Sequence, residues 1–206
     1  LNSARNALRF LLRARKIRSI WLPRLLCEVI EEACRAENVE IRYYPVDASL
    51  RPVFLPEIAR TEWVYLINYY GQYQKSEICE WAEQFHLILD NVQAFYTKPL
   101  DGLDTVYTCR KFFGVPDGAY LYTESVLPEE LEQDSSCTRL EYLMGRFEHS
   151  ANAFYGAYQQ HEEQLGTLPI RWMSKGTHNL LRTIDYERAK HARENNFAYL
   201  HKGFGA

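Results

Sequence analysis

Short apolar runs alternate with amphipathic stretches through the first two thirds of the chain. The runs are rich in β-branched and aromatic residues and predict strands at residues 19–22, 39–44, 63–70, 87–89, 104–108 and 119–122. Between them, apolar residues at helical spacing predict helices, such as residues 25–37 and 76–84. This strand–helix–strand order favours parallel strands joined by right-handed crossovers. We therefore expect an α/β fold of three layers, with a mostly parallel sheet of about six to seven strands.

The last third of the chain has a helical pattern instead. Between residues 138 and 165, large apolar side chains recur on roughly one helical face, at Leu140, Leu143, Met144, Phe147, Ala151, Phe154 and Tyr158. Two further helices are predicted at residues 173–181 and 186–204, the second with a charged, solvated face. The helix predicted at residues 138–165 carries too much apolar surface to face solvent, so we expect it to cover its own sheet or a second subunit. We divide the chain into a sheet core, residues 1–135, and a helical segment, residues 136–206.

Composition and charge narrow the class of protein. A chain of 206 residues with 47% hydrophobic and 25% charged residues is typical of an ordinary globular protein. The net charge of −3 gives no argument for nucleic acid or an anionic membrane, although the first 18 residues hold five arginines and one lysine. No apolar run approaches the roughly 20 residues needed to cross a bilayer.

The cysteines indicate the compartment. There are five, an odd number, and they are scattered without any Cys-x-x-Cys pair, at Cys27, Cys34, Cys79, Cys109 and Cys137. We expect reduced thiols in a cytoplasmic protein and no metal site.

Two of the predicted strands lead into residues that could take part in catalysis or ligand binding. The run at 87–89 leads into Asp90, and the strand at 104–108 leads into Arg110 and Lys111. Open α/β sheets bind ligands at the carboxyl ends of their strands, so an acid and a lysine should meet at one edge. A carboxylate that can pair with a cationic ring nitrogen, beside a lysine that can form an imine, is the minimum equipment for pyridoxal phosphate chemistry.

Each of these residues also has an ordinary structural explanation. Asp90 could simply form a turn with Asn91, and Lys111 could be a solvated lysine. Against this, Lys111 follows a buried strand and precedes two phenylalanines, and we expect an apolar surround that favours its neutral, nucleophilic form. Ser3 is a reasonable N-cap for the first helix, and the helix start could be a plain cap or could bind an anion.

Four segments together resemble the DegT/DnrJ-type sugar aminotransferases, which have the aspartate-aminotransferase architecture of fold type I. Asp90-Asn91-Val92-Gln93-Ala94 resembles their Asp-x-x-Gln-Ala segment, and Asn68-Tyr69-Tyr70-Gly71-Gln72 resembles the His-x-Tyr-Gly-Gln that precedes it. Residues 107–118 resemble the lysine region of a divergent branch that reads Tyr-Ser-x-Arg-Lys-Phe-Phe-Gly-Val-Pro-Asp-Gly. The start of the chain, around Ser3, resembles the family's phosphate-binding Ser-Gly-Thr or Ser-Gly-Arg. The resemblance covers residues 2–125 well and the rest faintly.

The resemblance implies a role for each matching residue. Lys111 would hold pyridoxal 5'-phosphate covalently and then act as general base, with Asp90 on the ring nitrogen and Gln93 on the ring's 3′-oxygen. The phosphate group would lie at Ser3, Ala4 and Arg5, where Ala4 replaces the family's glycine. Thr108 occupies a position where related folds have a phosphate-binding hydroxyl, although it could equally be an ordinary strand threonine. Arg110 could contact phosphate, a substrate acid or only the protein surface.

One position departs from the family. Many relatives have an aromatic residue a few positions after the equivalent of Pro23, which stacks on the cofactor ring. This sequence has Leu25, Leu26 and Cys27 there, and the stacking residue stays unassigned.

The resemblance also implies an activity. The first hypothesis is an aminotransferase that moves an amino group from an amino acid such as glutamate to a nucleotide-linked keto-sugar. It would work as a homodimer, with the family's small carboxy-terminal domain missing from this truncated chain. The second hypothesis is a catalytically degenerate protein of this fold that binds or regulates, which Ala4 and the missing domain favour. A Rossmann-type nucleotide binder is disfavoured, because no Gly-x-Gly-x-x-Gly follows the first strand.

Overall fold

The fold is built on one six-stranded sheet. The computed structural model describes residues 1–205. The strands are β1 (Ser19–Pro23), β2 (Glu40–Tyr44), β3 (Trp63–Ile67), β4 (His86–Asp90), β5 (Asp104–Thr108) and β6 (Ala119–Tyr122). The helices are α1 (Ala4–Ala14), α2 (Glu28–Ala36), α3 (Lys75–Gln84), α4 (Glu141–Glu148), α5 (Tyr155–Thr167), α6 (Lys175–Arg182) and α7 (Tyr186–Phe204).

The strands lie in the order β2-β1-β3-β4-β5-β6. The first five are parallel, and β6 returns antiparallel to β5, with Ala119 opposite Thr108. The prediction of an α/β fold with a mostly parallel sheet and a helical carboxy-terminal region is confirmed. The central strands β3 and β4 are almost continuous runs of buried residues, as expected for strands covered on both faces.

Helix α1 is held by a buried face and a charged face. Leu8 and Leu11 are completely buried. On the charged face, Arg9 and Arg13 both donate to Glu37 at 2.7 Å, and Arg15 donates to Asp104 at 2.8 Å. The arginine-rich start of the chain is therefore occupied in ion pairs within the molecule.

The helical segment differs from its prediction in two ways. The expected run from 138 to 165 is split into α4 and α5, because His149 has a non-helical backbone and the two helices pack together at Gly145. A Cβ at Gly145 would lie 2.2 Å from the Phe154 ring, so only glycine permits this approach. The apolar face was expected to cover either its own sheet or a second subunit, and Phe147, which is 90% exposed, does not pack on the sheet.

A buried polar network ties this segment to the sheet. Asp117 accepts hydrogen bonds from the Ser174 amide at 3.0 Å and from its hydroxyl at 3.1 Å. Asp134 accepts from Arg139 at 2.9 Å and from the Asn2 side chain at 3.2 Å. All of these side chains are buried. The chain before α1 and the chain after β5 are thus anchored to the same cluster.

Helix α7 has no buried residue, in line with the predicted solvated face. Within residues 1–205, no helix combines the length and apolar character that crossing a membrane requires.

Candidate active site

A cavity of about 400 Å³ opens at the carboxyl edge of the parallel strands. Residues that follow β1, β3, β4 and β5 line it together with the first turn of α1. Its size lies in the usual range for small-molecule sites. The lining residues are Ser3, Ala4, Arg5, Leu25, Leu26, Cys27, Val29, Ile30, Leu50, Ile67, Tyr69, Tyr70, Asp90, Val92, Gln93, Thr108, Arg110, Lys111, Glu162 and Leu165.

All seven residues that the sequence proposed for the site line this one cavity. They come from three separate parts of the chain, at Ser3, Ala4, Arg5, Asp90, Gln93, Thr108 and Lys111. The sheet brings them together because parallel strands deliver their carboxyl ends to the same edge. Their chemical roles remain predictions.

Asp90 is the most deeply buried polar group in the cavity. It ends β4, is 1% exposed, and lies in register with Ile67 on one side and Val106 on the other. Its Oδ2 accepts a hydrogen bond from the Tyr65 hydroxyl at 2.8 Å, and its Oδ1 accepts from the Val92 amide at 2.7 Å. Burial raises the pKa of this carboxyl, although the two donors and the charge of Lys111 act in the opposite direction.

Lys111 lies in the turn that follows β5, with its side chain exposed at the cavity. Phe112 and Phe113 are only half-buried. These two phenylalanines therefore do not enclose the lysine side chain, which is exposed. The turn is closed by the amides of Phe112 and Phe113, which both donate to the Cys109 carbonyl.

The amino terminus of α1 forms another wall. Ser3 is the N-cap, as predicted, and its hydroxyl accepts from the Asn6 amide at 3.1 Å. Ala4 and Arg5 occupy the first two helical positions, whose amides have no intrahelical acceptor. The Arg5 Nε is buried and has no hydrogen-bond partner in the described part of the chain. A Cβ at Gly166 would lie 2.8 Å from Arg5, so this glycine leaves room for the guanidinium.

Gln93 and Thr108 complete the polar lining. The Gln93 side-chain oxygen accepts from the Tyr70 amide at 3.3 Å, which leaves its NH₂ group as a donor. Tyr70 has a left-handed backbone, with φ 55°, and is followed by Gly71 with φ 74°. This turn after β3 brings the Tyr70 ring to the cavity. Thr108 is buried at the end of β5.

No aromatic residue comes from the loop after β1. Leu25, Leu26 and Cys27 line the cavity there, and the Tyr69 hydroxyl donates to the Leu25 carbonyl. Tyr69 and Tyr70, which follow β3, thus line the same cavity.

Some contacts at the site were not anticipated. Tyr65, which donates to Asp90, could have been found because Ile67 pairs with Asp90 and side chains two positions apart on a strand share a face. The ion pair between Arg110 and Glu162 had no sequence signal, because α5 lies far along the chain. Within residues 1–205, no cluster of three histidine, cysteine or acidic side chains could hold a metal ion.

The donor and acceptor set fits pyridoxal phosphate. Asp90 can accept from a ring nitrogen, Lys111 supplies an amine, and the free amides of α1 with the unpartnered Arg5 Nε suit a phosphate group.

Comparison with known proteins adds a likeness of fold. No family model matches the sequence, and no curated protein matches it either. Among solved structures, L-threonine-O-3-phosphate decarboxylase from Porphyromonas gingivalis is 17% identical, with a TM-score of 0.48, over 82% of this chain and 55% of that one. The sugar aminotransferase CalS13 from Micromonospora echinospora is 18% identical, with a TM-score of 0.43, over 58% of this chain and 39% of that one. AtS13 from Actinomadura melliaura is 18% identical, with a TM-score of 0.47, over 59% of this chain and 40% of that one.

These matches span 39% to 55% of the solved chains. At such identities and TM-scores they carry no functional conclusion. Membership of the DegT/DnrJ-type family stays a prediction from the motifs.

Proposed function

We propose that this chain is a pyridoxal-phosphate-dependent aminotransferase. One observation supports this most strongly: a buried carboxylate, Asp90, and a solvent-accessible lysine, Lys111, line one cavity whose wall is the amino terminus of α1. A lysine, a buried acid and a helix start are the three groups that an aldehyde cofactor with a basic ring and a phosphate requires.

When bound, the cofactor supplies an electron sink for the carbon that loses and gains a proton. Asp90 would accept a hydrogen bond from the protonated ring nitrogen, and the hydrogen bonds from Tyr65 and the Val92 amide hold its carboxylate in place. Burial raises the pKa of Asp90, and a cationic ring would offset that cost because opposite charges stabilise each other.

Lys111 moves the proton. Its Nζ would supply the amine that holds the cofactor and, when free, would act as the base that takes a proton from the substrate's α-carbon and returns it at the adjacent position. Its exposed position in the turn after β5 gives the side chain access to the cavity. Gln93 would donate from its NH₂ group to the ring's oxygen.

The phosphate group would bind at the start of α1. The amides of Ala4 and Arg5 point out of the helix end, where the helix dipole favours an anion. Thr108 would add a hydroxyl from the end of β5. The substrates, an amino-acid donor and a nucleotide-linked keto-sugar acceptor, are proposed from the motif resemblance alone.

The test is a spectral titration of the purified chain with pyridoxal phosphate. We expect a visible absorption band from covalently held cofactor, which borohydride fixes irreversibly. Peptide mapping should then find the label on Lys111, and a label on any other lysine would contradict the assignment.

A second candidate function is a binding or regulatory protein of the same fold that has lost catalysis. The observation that favours it is the absence of an aromatic residue from the loop after β1, where Leu25, Leu26 and Cys27 line the cavity. Under this alternative, the chain would take up the cofactor, yet no amino donor would alter its absorption spectrum.

We also propose a homodimer, formed through the apolar face of α4 and α5. Phe147 is 90% exposed, Tyr155 57% and Met144 54%. Large exposed apolar side chains on a pair of packed helices mark an interaction surface, and two-fold pairing is the commonest way to bury one.

Sedimentation velocity tests the proposed dimer. The double variant Met144→Glu and Phe147→Glu should sediment as a monomer, because charges would replace the apolar contact. Phe204→Glu, at a residue that is 88% exposed on α7, is the matched control and should leave the dimer intact. A wild-type chain that stays strictly monomeric while it turns over substrate would refute the interface.

A further inference from the structure

The position of Lys111 depends on the two residues that follow it. Residues 109–113 form the turn that carries the lysine, here called the lysine turn, and the Phe112 and Phe113 amides close it by donating to the Cys109 carbonyl. Hydrogen bonds within a turn determine its shape but not its place relative to the rest of the cavity. Because Lys111 itself is exposed, that place is set by what packs against the half-buried rings of Phe112 and Phe113.

Phe95 contacts both of these rings. Its ring centroid lies 5.3 Å from that of Phe112 and 5.0 Å from that of Phe113, and the second pair meets edge to face, at 82°. Both distances lie within the range in which aromatic pairs attract each other in a preferred orientation. The Arg193 guanidinium of α7 also contacts Phe112, at 4.9 Å from the ring centroid, and donates to the Phe112 carbonyl at 3.2 Å. Arg193 is exposed, whereas Phe95 is half-buried, so Phe95 is the better shielded of the two contacts.

The backbone of Phe95 is fixed relative to Asp90. Phe95 lies five residues after Asp90, in the segment that follows β4. Within this segment the Val92 amide donates to the Asp90 carboxylate at 2.7 Å, and the Ala94 amide donates to the Asn91 carbonyl at 2.9 Å. The Phe95 ring therefore connects the chain that carries Asp90 to the turn that carries Lys111.

The other ring contacts of Phe95 are ordinary core packing. The ring centroids of Tyr107, Tyr120 and Tyr186 lie 6.3 Å, 6.2 Å and 6.2 Å from that of Phe95. These contacts make the Phe95 ring stabilising whatever its part in function. A general loss of stability and a displacement of Lys111 are therefore two distinct consequences of removing this ring.

We infer that Phe95 is a positioning residue for Lys111, and that its ring, acting through Phe112 and Phe113, holds the lysine amine at a defined place relative to Asp90. This inference rests on the proposed function. Covalent capture forms a C=N bond between the Lys111 Nζ and the aldehyde carbon and releases water, so the amine must reach that carbon while Asp90 faces the ring nitrogen. A misplacement of about 1 Å can slow such a step by about 10²-fold. Binding of the cofactor's ring and phosphate, in contrast, does not depend on the lysine turn.

The experiment compares covalent with noncovalent binding to the full chain. Covalent capture is followed by the visible band of pyridoxal phosphate, and noncovalent affinity is measured by calorimetry with 4′-deoxypyridoxine 5′-phosphate, which lacks the aldehyde. Phe95→Leu should slow capture by at least roughly tenfold because the amine is displaced, while its affinity for the analogue stays within roughly twofold of the wild-type value. Phe95→Tyr, which keeps the ring, should capture the cofactor at the wild-type rate.

Phe54→Leu is the matched control. Phe54 is also half-buried, and it makes three ring contacts with side chains outside the lysine turn. Its replacement should lower the melting temperature, as Phe95→Leu does, but leave capture unchanged. If Phe95→Leu does not fold, Phe112→Leu breaks the same contact from the side of the turn and should show the same loss of capture.

Hydrogen exchange in the cofactor-free chain tests the same contact without the cofactor. The Phe112 and Phe113 amides should exchange at least roughly fivefold faster in Phe95→Leu than in Phe54→Leu, because the lysine turn opens more often. Capture at the wild-type rate in Phe95→Leu, or a proportional loss of affinity for the analogue, would overturn the positioning role.

A wild-type chain that captures no cofactor would overturn the proposed function. Faster exchange in Phe95→Leu would then still support the hold of Phe95 on the lysine turn, whereas unchanged exchange would overturn that hold as well.

Discussion

Lys111→Ala is expected to abolish covalent capture of pyridoxal phosphate while leaving the fold intact. Lys111 is the one lysine among the residues that line the cavity, so no other amine there can take its place. Its side chain is exposed in a turn that is closed by backbone hydrogen bonds, so its truncation removes no buried contact. We expect the cofactor's visible band and its borohydride-stable label to disappear together, with turnover at least roughly 10²-fold lower because the general base is also lost.

The control is Lys98→Ala, which removes an exposed lysine that does not line the cavity. This variant should retain the label in full. Noncovalent binding of the cofactor phosphate to Lys111→Ala should persist, since the start of α1 is unchanged. Retention of the covalent label in Lys111→Ala would disprove the lysine assignment.

Asp90→Asn is expected to lower turnover strongly and to stabilise the cofactor-free protein at neutral pH. Removing one partner of a buried charge pair costs roughly 3–5 kcal/mol, which corresponds to roughly 10²- to 10⁴-fold in rate. The neutral amide cannot hold a proton on the ring nitrogen. Cofactor binding itself should survive, because Lys111 and the α1 amides remain.

The stability change follows from the pKa of Asp90. Burial raises its pKa in the folded state above the unfolded value of roughly 4, so the folded state binds the extra proton. Wild-type stability is therefore lost as the pH rises from the unfolded pKa through the folded pKa. Asp90→Asn removes this titration, and its melting temperature should exceed that of the wild type by an amount that grows from acid to neutral pH.

Thermal unfolding at several pH values checks this, with the exposed Asp101→Asn as the control that should follow the wild type. Near-normal turnover of Asp90→Asn would instead reduce Asp90 to a turn residue. An unchanged melting temperature across the pH range would mean that the buried carboxyl costs the fold nothing.

The sheet could be predicted because its signals are local. The strand at 104–108 and the helix at 186–204 have the bounds predicted for them. Both patterns, an apolar run and an uninterrupted helical periodicity, depend only on residues that are close together in the sequence. The same holds for the site. Asp90 and Lys111 follow strands, and parallel strands bring their carboxyl ends to one edge whatever the details of packing.

The features that were missed depend on contacts between distant parts of the chain. The helix expected from 138 to 165 breaks because Phe154 packs on Gly145. The spacing of apolar residues along the sequence does not predict that contact. Lys111 is exposed because the geometry of its turn, and not the phenylalanines beside it in sequence, determines its surroundings.

By itself, the sequence determined the succession of strands and helices along the chain, the mostly parallel sheet and the group of residues at its carboxyl edge. Only the tertiary structure decided which groups form hydrogen bonds and ion pairs with the residues at that edge. The Tyr65 hydroxyl on Asp90 and the Glu162 carboxylate on Arg110 come from elements 25 and 52 residues away along the chain. Hydrogen bonds and ion pairs act over a few ångströms in space, and chain separation of this length carries no information about such distances until the sheet and its helices have packed.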